Sequence, residues 1–112
     1  MSRARKILES IGPYPEDSNV VHQRVYVECS EVEGEPDSDE NLGMAGNRLL
    51  MWLESEGLRS EVMWDEMHYV GAERQGSDHY YVYYANIEFS GQTAKQQWLE
   101  AIGNGFLDIG PQ

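Results

Sequence analysis

Residues 78–89, "DHYYVYYANIEF", place tyrosine at 80, 81, 83 and 84 and then alternate toward Phe89. Read with a period of two, Tyr81, Tyr83, Ala85, Ile87 and Phe89 share one face. Tyr80, Val82, Tyr84, Asn86 and Glu88 share the other. The first set ends in three apolar residues and belongs against a core. The second ends in Asn86 and Glu88 and belongs outside. The stretch is therefore a long, half-buried strand, and the rest of the chain is read outward from it.

Upstream, "ERQGSD" is a hairpin signal resting on Gly76, and it joins this strand to "SEVMWDEMHYVGA". There Val62, Trp64 and Val70 share a face with Glu66 and His68, while Met63, Met67 and Tyr69 share the other with Asp65. Neither side is cleanly apolar, and a one-residue slip exchanges them, so both registers stay open. Further upstream "VVHQRVYVECS" alternates Val21, Val25, Val27 and Cys29 with His22, Arg24, Tyr26 and Glu28, a second half-buried strand.

Two helices flank these strands. Asp37 as N-cap with Glu40 three residues on is an Asp-led capping box. The helix it opens runs to Glu56 and presents Leu42, Ala45, Leu49 and Leu53, with Gly46 allowing a close approach. Gly57 suits C′ and apolar Leu58 follows it. A second helix starts near Ser90 or Thr93, carries Ala94, Trp98, Leu99 and Ile102, and stops at Gly103. Residues 3–11, "RARKILESI", have the spacing of a short helix with Ile7, Leu8 and Ile11 on one side; the linker "GPYPEDSN" follows, and residues 1–18 are read as N-terminal helix and linker. "FLDI" predicts a last short strand.

The expected fold class is α+β over 1–112 as one domain, with element order α-β-α-β-β-α-(β). Apart from its extra N-terminal helix, this order resembles the split βαβ, ferredoxin-like layout: a mostly antiparallel sheet with two helices on one face. That layout makes strands 20–29 and 79–89 neighbours. Tyr26 and Arg24 would then stand beside Tyr80, Val82 and Tyr84 on a face the helices leave open. Tyrosines there either serve as sheet formers in cross-strand pairs or mark a face for a partner or a second copy of the chain, with Tyr26, Tyr80 and Tyr84 as contacts. The same face assignment expects Trp98→Ala to cost far more stability than Tyr80→Ala.

Charge is the strongest compositional signal. Twenty acids against eight bases give a formal net charge of −12, and with Arg3, Arg5 and Lys6 set aside the remainder carries −15. Such a field repels a phosphate backbone, which argues against direct nucleic-acid binding and against the tyrosines as base-stacking platforms. Within "EVEGEPDSDE", Glu31, Glu33, Glu35, Asp37 and Asp39 fall at every second residue and Glu40 follows. If the 31–40 loop is extended, same-face carboxylates recur at roughly 6.5–7 Å, a pitch similar to a phosphodiester strand. A plain solvated acidic loop, or a salt-adapted surface, accounts for the same residues more simply.

Chemistry-bearing constellations are sparse. A calcium loop started at Asp37 puts Leu42 where glycine is required and Arg48 where glutamate is required, so the pattern fails. Cys29 is the sole cysteine, and His22, His68 and His79 lack paired metal-ligand spacing. His68 beside Asp65 and Glu66 is the one acid–base candidate, and a strand histidine beside acids is more often a surface ion pair. No catalytic residues, cofactor or metal are expected. There is no signal-peptide pattern and no long apolar run, so no membrane is expected and a cytoplasmic location is.

The sequence thus points to a non-catalytic acidic protein-binding domain. Its preferred form is an inhibitor or polyanion-like decoy of counter-defence type, acting on a basic, nucleic-acid-handling protein through Glu31–Glu40. The alternative is a ferredoxin-like subunit or small-ligand domain that dimerises through the open tyrosine-rich face.

Overall fold

A computed structural model describes residues 6–11, 18–64, 66–102 and 106–108. The strands are β1 (Lys6–Ile11), β2 (Val20–Glu28), β3 (Val62–Met63), β4 (His68–Gln75), β5 (Asp78–Phe89) and β6 (Phe106–Asp108); the helices are α1 (Asp39–Ser55) and α2 (Gln92–Ala101). The class is α+β, and every strand pairing is antiparallel.

β5 is the axis of the sheet. Along one side it pairs with β2, with Tyr26 opposite Val82 and Arg24 opposite Tyr84. Along the other it pairs with β4 and, at its far end, with β3. β2 pairs in turn with β1, and β1 with β6. Gly76, at φ 64°, opens the two-residue turn from β4 into β5.

The period-two reading of β5 holds. Tyr83, Ala85, Ile87 and Phe89 join Val21, Val25 and Val27 in one buried cluster. α1 contributes Ala45, Leu49 and Leu53 to it, and α2 contributes Ala94 and Trp98 with Ile102 at its C-cap, so both helices cover the same face. Burying these apolar side chains is the main source of stability, at roughly 1.5–3 kcal/mol for each large one. Of the buried polar side chains among the described residues, Gln23 is the most enclosed: it accepts from Trp98 Nε1 at 2.8 Å and from Ser10 Oγ at 2.5 Å. Its own Nε2 donates to the Arg24 carbonyl, so both the oxygen and the nitrogen of the buried amide are engaged.

The open register of the β4 segment is also decided. Met67 is buried and Tyr69 packs on the main core, while His68 and Val70 are exposed. Val70 is the extra residue of a bulge: Tyr69 faces Tyr83 but Gly71 faces Val82. The neither-side-apolar pattern arises upstream of the bulge: Val62 and Trp64 pack on the core from even positions and Met67 and Tyr69 from odd ones, so the phase changes between β3 and β4.

Two expectations are corrected. Lys6–Ile11 is a strand, not part of a helix over 3–11; Arg3 and Arg5 lie outside the described residues. The spacing of Ile7, Leu8 and Ile11 suits a helix, but so short a helix is marginal alone. Pairing with β2 satisfies the backbone instead and buries Leu8 completely against Val25. In consequence β1 stands between β2 and β6, whereas in the split βαβ layout the last strand pairs with the first directly. Among the described residues no helix is long and apolar enough to cross a membrane.

Candidate functional site

The acidic segment leaves β2 through a 3-10 turn at Cys29–Glu31, which takes Cys29 off the strand. Val32 N donates back to the Cys29 carbonyl at 3.1 Å. Gly34 then adopts φ 76°, a left-handed conformation suited to glycine, and Ser38 N closes a turn on the Glu35 carbonyl. The chain is therefore folded back on itself. The expected extended row of carboxylates, with its strand-like pitch, is not formed, because two tight turns interrupt it.

Two buried groups and one surface ion pair fix this loop. Asn41, only 6% exposed, donates from Nδ2 to the Glu33 carbonyl at 2.9 Å and the Glu35 carbonyl at 2.7 Å. Tyr83, fully buried in β5, donates its hydroxyl to the Pro36 carbonyl at 2.7 Å. Arg48 on α1 pairs with the Glu31 carboxylate at 2.5 Å. With their main chain tied inward, Glu31, Glu33, Glu35, Asp37, Asp39 and Glu40 are all exposed.

The cap of α1 also differs from expectation. Ser38, not Asp37, is the N-cap, its hydroxyl accepting from Asn41 N at 3.2 Å. Asp39 and Glu40 fall in the first turn, where the helix dipole favours negative charge.

The sheet face away from the helices is not the open patch that the sequence suggests. Tyr26 and Tyr80 are each 2% exposed and form a small buried cluster with Val82. The Tyr26 hydroxyl donates to Glu9 Oε1 at 2.7 Å. Burial and that hydrogen bond push the Tyr26 phenol well above its usual range. Only Tyr84 of the three named tyrosines retains surface, and it lies between two imidazoles. His22 stacks on it at a centroid distance of 4.5 Å, and His68 tilts against it at 5.1 Å.

His22 Nδ1 lies 3.1 Å from Asn86 Oδ1, and Arg24 Nε makes a long 3.5 Å contact with His22 Nε2. That arrangement fits a neutral ring donating from Nδ1. Burial lowers the His22 pKa, the Asn86 bond opposes, and the Arg24 charge lowers it further. His68 is exposed and engaged with Tyr84. Among the described residues no three His, Cys, Asp or Glu side chains converge as metal ligands would.

No family model, curated protein or solved structure matches this chain. The reading of the site accordingly rests on its own geometry. Asn41 and Tyr83 were not singled out from sequence as holding the loop. Tyr83 acts on Pro36 across the fold, which no local pattern encodes, whereas the Ser38-x-x-Asn41 spacing was a usable local signal.

Proposed function

We propose that this chain is a non-catalytic binding domain, acting in the cytoplasm, whose partner is a protein with a basic surface. The contact is the acidic loop, residues 31–40. One observation carries this reading: six exposed carboxylates stand on the loop and on the first turn of α1 that follows it, and the loop backbone is tied down by the buried Asn41 and Tyr83. A solvated charge run kept only for solubility has no need of such anchoring. A fixed array meets a basic surface without first losing loop entropy, and its field speeds encounter. The favoured partner class is a nucleic-acid-handling protein, whose basic groove accepts polyanions; the decoy reading now rests on charge density and no longer on phosphodiester-like pitch. Burial of Tyr26 and Tyr80 takes away the contacts on which a homodimer through the outer sheet face depends.

The test is capture from a native-host extract on immobilised protein, with elution by heparin. Wild type should retain basic proteins that heparin releases. A variant with Glu31, Glu33 and Glu35 changed to Gln, and Asp37 and Asp39 to Asn, should retain none of them while melting near wild type. Equal capture by both proteins sinks the acidic-loop reading. Captured proteins that are not basic sink the decoy.

A further inference from the structure

Beside the acidic loop, a groove of about 330 Å³ runs between α1 and the segment joining β3 to β4. Its apolar lining includes Leu42, Leu50, Trp64 and the buried Met67. Asp39 from α1 and Glu66 from the connecting segment also line it, and both are exposed. No cation is among the described lining residues, and neither carboxylate forms an ion pair among the described residues. The groove is therefore apolar within and negative at its margin.

Gly43 lines the same groove, inside α1. Glycine is the least favourable helix-interior residue after proline, so its presence calls for a reason. No positive φ requires it, and among the described residues no heavy atom lies within 4 Å of where its Cβ would stand. Gly46 is different: a Cβ there would meet Met67 Cγ at 3.3 Å, so packing accounts for it. At 43 there is open space at the edge of the groove, into which a larger side chain has room to extend.

We infer that this groove receives an arginine side chain of the basic partner. Its aliphatic stem lies along Leu42 and Leu50, its guanidinium plane meets Trp64, and its charge is met by Asp39 and Glu66. Arginine is preferred to lysine because a planar, weakly hydrated guanidinium stacks on indole and pairs with carboxylates at two points. The inference rests on the reading of the chain as a binder of a basic protein, and it names how that protein is gripped. Asp39 belongs both to the acidic loop and to the groove, which makes the two surfaces continuous.

The probe is an acetylated, amidated Gly-Arg-Arg-Gly peptide, with Gly-Lys-Lys-Gly as counterpart, titrated into the isotope-labelled full chain at low salt. Amide and indole shifts should centre on Gly43, Asn47 and Trp64, and the arginine peptide should bind more tightly. Gly43→Leu, which narrows the groove, should weaken it by about tenfold, and Glu66→Gln, which removes an exposed rim charge, by about two- to fivefold. Should Gly43→Leu fail to fold, Glu66→Gln carries the comparison. A variant with Glu31, Glu33 and Glu35 as Gln and Asp37 as Asn should weaken binding through the general field but leave the shifts in the groove. Shifts confined to 31–38, with Gly43→Leu binding like wild type, overturn the groove and leave the acidic-loop reading standing. Equal affinity for the two peptides overturns the arginine assignment. No shift at any concentration overturns the groove, and extract capture then decides separately whether the chain binds basic proteins at all.

Discussion

Tyr80, Tyr83 and Tyr84 sit on one strand and meet three environments. Tyr80 is buried with Tyr26 and Val82 on the face opposite the helices. Tyr83 is buried on the helix side and spends its hydroxyl on the loop at Pro36. Tyr84 is half-buried between His22 and His68. Alternation separates Tyr83 from its neighbours but cannot tell a buried outer face from an exposed one, so Tyr80 was misjudged as surface. Trp98→Ala and Tyr80→Ala should therefore each lower the unfolding free energy by about 3–5 kcal/mol in urea titrations. A loss below about 1 kcal/mol for Tyr80→Ala would return that side chain to the surface. Tyr83→Phe should cost about 1 kcal/mol, the net value of one hydrogen bond, and speed amide exchange at residues 33–38.

Elements were legible where their signals are local. The C-terminus of α1 is a case in point: Gly57, at φ 73°, donates to the Glu54 carbonyl and Leu58 to the Leu53 carbonyl. This Schellman closure brings buried Leu58 over buried Leu53, and the Gly57-Leu58 pair announced it. The N-terminus was displaced by one residue, since Asp37 and Ser38 are both good caps and only the backbone path chooses between them. Ser38→Ala should accordingly lower stability by about 1 kcal/mol, while Asp37→Ala should leave the thermal midpoint close to wild type. The reverse pattern would restore the Asp37 box. β1 was not legible because its reason lies in β2: nothing within Lys6–Ile11 states that Leu8 will face Val25. The candidate site divides the same way. Its carboxylates can be counted in the sequence, whereas their fixed, turned arrangement depends on Asn41 and Tyr83 reaching the loop from elsewhere.

At the scale of the whole molecule, the net charge of −12 opposes compaction. The two ion pairs among the described residues, Arg48–Glu31 and Arg59–Glu54, are exposed, and such pairs add little. Added salt should therefore raise the melting temperature by screening repulsion between carboxylates more than it weakens those pairs. The pH dependence has a separate signature at each end. His22 is held below its ordinary value by burial, so the unfolded chain binds its proton more readily; this contribution is intact above about pH 6.5 and is lost as pH falls. Burial pushes Tyr83 up to about 12, and Tyr26 is raised as well, so both phenols stay protonated in the fold after they would ionise in the unfolded chain. The unfolded state then binds fewer protons, and stability must decline as pH rises from the ordinary tyrosine value of 10.0 through about 12. Urea midpoints measured from pH 8 to 12 should be level at first and then fall, with the loss of phenolic protons followed by absorbance. In Tyr83→Phe the descent should be shallower but still present, because Tyr26 continues to titrate against Glu9. A midpoint that stays flat to pH 12 would mean that neither phenol is shielded from solvent as its burial requires.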